Sequence, residues 1–309
     1  MIFRYTFEQL VFFFLFYCMF GWVFESTYVS IKEKKFTNRG FMRGPFIPIY
    51  GCGAMMLLFS TTFFLKWPVL VFLAGMISCS ILEYVTGWSM EKIFRVRYWD
   101  YSDEFCNING HVCLKASLTW GAMALLLNYL LHKPVESLYN LMPAVVSGIV
   151  VRAVSIYFIV DLTLAVRTAL DIRSMIIKID QIKDEMRIMS KRLDVIIAVA
   201  DDELDRRKQA VEDSFEELAQ DIEDRLWILK DSIESKPAEI SEAVKNEYIE
   251  LRAKILANRE HQKTWLKDRY SKATIKNNPK MRSLRFADSF EILKKRVSEI
   301  TQNQNDTRK

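Results

Sequence analysis

The chain has 309 residues, half of them hydrophobic, with 43 Lys and Arg against 38 Asp and Glu; that is material enough for two ordinary domains at a net charge of only +5. The charges are unevenly spread, because residues 1–166 hold 13 of the basic and 10 of the acidic side chains and the rest of the chain holds the other 30 and 28. A uniformly soluble enzyme is thereby excluded, and so is a nucleic-acid-binding protein, since neither half carries a strongly basic block.

Residues 1–166 read as a polytopic membrane domain. A bilayer core of about 30 Å takes roughly 20 mostly apolar residues per helix. Five runs meet or approach that requirement: residues 9–30 with Glu25 as the one charge, 45–65 and 116–131 with none, 67–90 with Glu83, and 141–166 with Arg152 and Asp161. The run 116–131 is short and is expected to begin nearer Leu114, with Lys115 snorkelling toward the headgroups. The first run passes through Gly21, Trp22 and Phe24 to Glu25 with no small-residue cleavage site, so it is expected to remain in the membrane. Lys32, Lys34, Lys35, Arg39 and Arg43 in loop 31–44, with Lys92, Arg95, Arg97 and Lys115 in loop 91–115, outnumber Arg4, Lys66 and Lys133 on the alternate side. That imbalance predicts an outside N-terminus, with both loops and the C-terminal half in the cytoplasm.

Both basic loops are more specific than connections require. In the first, Gly40 to Gly53 include Arg43, Gly44, Pro45, Pro48 and Tyr50, which interrupt helical hydrogen bonding where the second run enters the bilayer. Transporters use such broken helices for binding, and a Pro-kinked helix start is the plainer alternative. The second loop mixes Tyr98, Trp99 and Tyr101 with Asp100, Ser102 and Asn107 and suits an interfacial lid; ordinary interface anchors and turn formers would look the same. Cys106, His111 and Cys113 lie too close together for the paired spacing of structural zinc, so no metal is predicted.

An ionisable side chain in hydrocarbon costs several kcal/mol unless it is paired or hydrated, which singles out Glu25, Glu83, Arg152 and Asp161. Nine residues separate Arg152 from Asp161, about half a turn around a helix, so each must find its partner elsewhere; Arg152 with Glu83 or Glu25 is the expected pair. The candidate substrate-binding set is therefore Glu25, Arg43, Tyr50, Glu83, Trp99, Asp100, Asn107, Arg152 and Asp161. Helix-to-helix glue is the alternative role for the four charges.

Between Ile149 and Lys236 there is no Gly or Pro, and the fifth run can continue as one long helix. Ile172, Met175, Ile179, Ile182, Met186, Met189, Leu193 and Ile196 step by three and four, the seam of a coiled coil, and after a stutter Val211, Phe215, Leu218, Ile222, Leu226, Leu229 and Ile233 resume it. Such a seam predicts a homo-oligomer, with internal packing as the alternative. Ser235-Lys236-Pro237 marks a helix restart with the stripe Ile240, Val244, Tyr248, Leu251 and Ile255. Asn277-Asn278-Pro279 ends that helix before a last one carrying Phe286, Phe290, Leu293, Val297 and Ile300. The expected organisation is all-α: a five-helix transmembrane bundle over 1–166, a coiled coil over 167–236, a helical segment over 237–300, and a disordered tail from Thr301.

No phosphate-cradling loop, Ser nucleophile elbow, zinc-protease helix or dinucleotide turn occurs, so no cofactor is predicted and any ATP-driven role needs a separate ATPase subunit.

Gly21-Trp22 with Glu25, the run Gly44 to Gly53, Trp99 to Ser102, Asn107 to Cys113 and Trp120-Gly121 resemble, in order, the motifs of the bacterial ABC-transporter type IV family over roughly residues 5–165. The resemblance implies a multi-pass protein of the bacterial cell membrane, of permease type, and brings no established substrate or catalytic residues. Three functions follow from the sequence: a transport-type component with a polar pocket open to the cytoplasmic side, an enzyme acting on a lipid or lipid-linked substrate, and a membrane-anchored coiled-coil scaffold or sensor. Membrane lipids are expected partners of all three.

Overall fold

The computed structural model describes residues 5–200, 215–235, 242, 245–246, 248–254, 256 and 269–306. All regular elements among them are helices, and they divide into two compact units: Met1–Ile172 with Ala273–Arg285, and Arg173–Lys272 with Phe286–Lys309.

In the first unit, α1 (Phe7–Glu33) starts with a capping box in which Thr6 Oγ1 accepts from the Gln9 amide and the Gln9 side chain accepts from the Thr6 amide. It ends at Lys34, whose φ of 50° is left-handed. Helix α2 (Pro48–Thr61) begins three residues later than the apolar run from 45 suggests. Pro48 occupies the first helical turn and holds Ile47 extended, so Pro45 to Ile47 remain irregular, with the Ile47 amide donating to the Cys18 carbonyl at 3.0 Å. A 3-10 turn extends this segment only to Phe64. Helix α3 (Pro68–Phe94) repeats the Pro start and stops at Arg95, φ 61°.

Helix α4 (Leu114–Leu126) does start at Leu114, where the Cys113 Sγ accepts from the Ala116 amide. It runs through a π-helical turn, Leu127–Leu131, into α5 (His132–Leu141). Helix α6 (Ala144–Ala200) is unbroken over 57 residues. Four segments, α1, α3, Leu114–Leu141 and Ala144–Leu193, are long and apolar enough to cross a membrane, while Pro48–Phe64 is a shorter apolar helix.

Phe13, Tyr17, Ala54, Leu57, Val71, Cys79, Ala124 and Leu127 form the core where α1, α2, α3 and α4 meet. A second cluster joins α1 and the Gly-Pro loop to α6 through Leu15, Cys18, Met42, Phe46, Phe158 and Ala165. Ile77, Ile81 and Val85 on α3 and Ile156 and Ile159 on α6 point outward, as lipid-facing side chains do.

In the second unit, the α6 seam residues Ile182, Met186, Met189 and Leu193 are buried against Ile222, Leu226 and Leu229 of α7 (Phe215–Ser235), with Leu251 and Ile292. Later helices of the same chain therefore cover the seam, and it does not require a second copy. Helix α8 (Arg269–Asn277) ends at the Asn-Asn-Pro stop. Helix α9 (Ala287–Asp306) is helical past Thr301, where a disordered tail was expected, because the backbone meets no Gly or Pro there. Lys183, buried on α6, pairs with Asp288 at 2.7 Å, and Ser289 donates to Asp180 at 3.0 Å. The stutter through Val211, the restart at Pro237 and the stripe positions Ile240, Val244 and Ile255 lie outside the described residues.

Candidate functional site

Two carboxylates face each other's partners where α1, α2, α3 and α4 pack. Glu83, buried on α3, accepts from the Tyr101 hydroxyl on one oxygen at 3.2 Å and from the Trp120 indole on the other at 3.0 Å. Glu25, half-buried on α1, accepts from the Tyr50 hydroxyl at 2.9 Å. Tyr50 and Tyr101 each lie within electrostatic reach of both carboxylates, and the Tyr50 ring sits 6.3 Å from that of Trp120. Every donor to the two acids is neutral. No Lys or Arg among the described residues pairs with either.

Helical glycines make room for this arrangement. A Cβ on Gly21 would stand 2.3 Å from the Tyr50 ring, and one on Gly53 would stand 2.8 Å from the Trp120 ring. Only a bare backbone lets α1 meet Tyr50 and α2 meet Trp120 so closely.

Tyr101 reaches Glu83 from the second loop, which is itself a bonded structure. Asp100 accepts from the Ser102 amide and hydroxyl at 2.9 and 2.6 Å, from Arg97 at 3.4 Å, and from Arg282. Burial alone would raise the Asp100 carboxyl, but the bonds from Ser102 and Arg282 hold it below its ordinary value. Asn107 donates to the Ser102 and Glu104 carbonyls and accepts from the Gly110 amide, and the Trp99 indole donates to the His111 carbonyl at 3.0 Å. His111 lies 3.3 Å from Glu91, yet burial first and the Arg97 guanidinium second lower its imidazole below the usual value. Burial, then the Glu83 carboxylate, pushes the Tyr101 phenol well up. Tyr98, expected at headgroup depth, is instead buried with its ring edge-on to Phe41. Cys106 is exposed while Cys113 caps α4, so these and His111 serve separate purposes.

The segment 277–285 bonds to both loops. The Arg97 and Arg282 backbones exchange hydrogen bonds of 2.7 and 3.1 Å, Ser283 donates to the Arg95 carbonyl at 2.6 Å, and Arg39 donates to Asn277 and Asn278.

Arg43 and Asp161 form a separate group that fixes the Gly-Pro loop on α6. Arg43 donates to the Thr168 hydroxyl at 2.6 Å, and the buried Asp161 accepts from the Gly44 amide at 2.8 Å. Arg152 joins neither group. It is exposed on α6, and the expected pairing with Glu83 or Glu25 does not form: the two Glu83 oxygens accept from Tyr101 and Trp120, and one Glu25 oxygen accepts from Tyr50.

With the motif residues thus placed on one bundle, the family model described as "Putative ABC-transporter type IV" matches residues 12–166. The chain belongs to that family. No curated protein and no solved structure matches it. The matched residues hold both carboxylates, Tyr50, Tyr101 and Trp120, whereas 277–285 lies beyond them. With its apolar helices, the ABC-transporter type IV membership makes this a membrane protein of transport type.

Tyr101 and Trp120 stand within the quoted motifs but carry no charge, so nothing in composition marked them. His132, outside those motifs, is buried between the Tyr5 and Tyr17 hydroxyls at 3.0 and 3.1 Å just after the π-helical turn. A π-turn is invisible in the sequence but often accompanies a functional position.

Proposed function

We propose that this chain is a permease-like component that takes a cationic ligand between Glu25 and Glu83, from the side of loops 31–44 and 91–115, working with a separate ATPase subunit. The observation that carries this reading is the neutral donor set. Each oxygen of Glu83 accepts a hydrogen bond, which suits the ionised acid, yet no side-chain cation among the described residues balances it. A carboxylate so held in a low-dielectric bundle attracts a cation strongly. Tyr50, Tyr101 and Trp120 around it offer ring faces that favour an organic cation over a hydrated metal ion.

Tyr101 is the lid residue in this reading, since it belongs to the loop and covers Glu83. The cytoplasmic placement of that loop rests on nine basic residues against three. Support also comes from the segment 277–285 meeting both loops, which fits their lying on one side.

The test is calorimetric binding of tetraethylammonium to the full chain in lipid nanodiscs. Saturable binding that weakens about tenfold or more in Glu83→Gln is expected, the loss typical of a hydrogen-bonded charge. Equal affinity in a Glu83→Gln protein that inserts and assembles normally would refute the reading.

A further inference from the structure

The end of α1 carries a second feature, independent of the two carboxylates. Lys34 closes the helix in the left-handed conformation, where glycine is the usual residue, and the Lys34 and Lys35 amides donate back to Ile31 and Ser30 at 3.4 and 3.1 Å. A long cationic side chain is thus retained at a position that favours none. From the segment that begins at Ala273, Lys276 stands within electrostatic reach of Lys35. Burial, and then the Lys35 charge, lowers Lys276 below the ordinary lysine value. Beside them on α1, Glu33 accepts from the Thr37 hydroxyl at 3.1 Å, and Arg39 is held by Asn277 and Asn278.

Beside these lysines, an open groove of about 460 Å³ runs up the outer face of α1, lined by Trp22, Val23, Ile31 and Phe36 among others, with Lys34 and Lys35 at its end. Trp22 is fixed by donating to Asn38 at 2.6 Å, and Phe36 is largely exposed. Helix α1 is one of the four long apolar helices, so this groove adjoins hydrocarbon and its basic end adjoins the headgroup layer.

We propose that Lys34, Lys35 and Lys276 hold the phosphate of one anionic phospholipid, with an acyl chain lying along Trp22, Val23, Ile31 and Phe36. Charge complementarity selects the headgroup: converging ammonium groups repel each other until an anion stands between them, and a zwitterionic headgroup returns a positive charge to the same place. The apolar groove selects a lipid over free phosphate. Lys276 lies directly before the segment that meets both loops, so the bound lipid also steadies that segment.

The test is native mass spectrometry of the full chain, released from micelles in the presence of phosphatidylglycerol, phosphatidylcholine or inorganic phosphate. One phosphatidylglycerol should be retained in clear preference to phosphatidylcholine, and inorganic phosphate should not be retained. The double variant Lys35→Gln with Lys276→Gln should lower phosphatidylglycerol retention roughly thirtyfold, as loss of two near-surface lysine contacts implies. Lys35→Arg with Lys276→Arg keeps the charge and should keep the lipid, which separates loss of the site from loss of the fold. Equal retention of the two lipids, phosphatidylglycerol retention unchanged in the Gln variant, or phosphate held as well as lipid would each overturn the proposal.

Discussion

One buried charge from each unit, Lys183 and Glu83, is met in opposite ways. In the second, the buried ammonium of Lys183 meets the carboxylate of Asp288, which is 71% exposed, so water shares the charge and the apolar seam supplies the stability. In the first, Glu83 is 6% exposed and its partners are a phenol and an indole, which satisfy its oxygens without cancelling its charge. Neutral donors in hydrocarbon solve the hydrogen-bonding problem of an acid and leave the electrostatic one, which the proposed cationic ligand would answer.

The sharpest way to separate the units is to damage one core. Leu226→Ala empties a buried position in the seam cluster and is expected to cost about 2–5 kcal/mol, seen as an early melting transition of the second unit by circular dichroism. Cation binding in the first unit should stay within twofold of wild type; coupled loss of both would break the comparison.

Gly53→Ala acts in the first unit alone. Its added carbon would stand 2.8 and 2.9 Å from two Trp120 ring atoms, so the ring that donates to Glu83 must shift. Overpacking of this kind costs about 1–3 kcal/mol, and tetraethylammonium affinity and Trp fluorescence should change together. Trp120→Phe leaves one Glu83 oxygen without its donor, a cost of about 1–3 kcal/mol before the lost indole packing near Gly53 is added. Thermal unfolding in nanodiscs should register it, and Lys183→Met in the second unit should cost less, about 0–1 kcal/mol.

The lid loop gives the smallest effect, read through pH. The imidazole of His111 is held below its ordinary value, so the open loop binds its proton first: protection is complete above about pH 6.5 and declines as pH falls below it. Asp100 is held below its ordinary carboxylate value, and its contribution, present above about pH 3.9, is lost as pH falls further. Amide exchange over residues 97–112, corrected for intrinsic rates, should show two successive losses of protection on acidification, the first absent in His111→Gln.

The contrast also explains what the sequence revealed. Long apolar runs require helices wherever the backbone must satisfy itself, so α1, α3 and the start of α6 were legible almost to their ends, while the run read to residue 131 continues as helix to Leu141. Glu25, Glu83 and Asp161 stood out because charge is rare in such runs. Their partners did not, because residue spacing gives depth along a helix but not which neighbouring helix a side chain meets; Arg152 was at a plausible height and on the wrong face. The heptad seam was legible as a buried stripe, but spacing does not say whether the covering helix belongs to the same chain. The link from 277–285 to the loops includes side-chain bonds joining residues 188 to 239 positions apart, a separation that no local pattern spans. Asp100 and Asn107, by contrast, bond within their own turn, and short-range side-chain chemistry of that kind is readable from neighbours alone.

The most direct measurement of the central claim is an infrared difference spectrum of the full chain in nanodiscs, recorded with and without tetraethylammonium. If Glu83 answers a cation, ligand addition shifts a carboxylate or carboxyl band that is missing from the spectrum of Glu83→Gln. A difference spectrum with no carboxyl signal, or with the same signal in Glu83→Gln, would contradict the account.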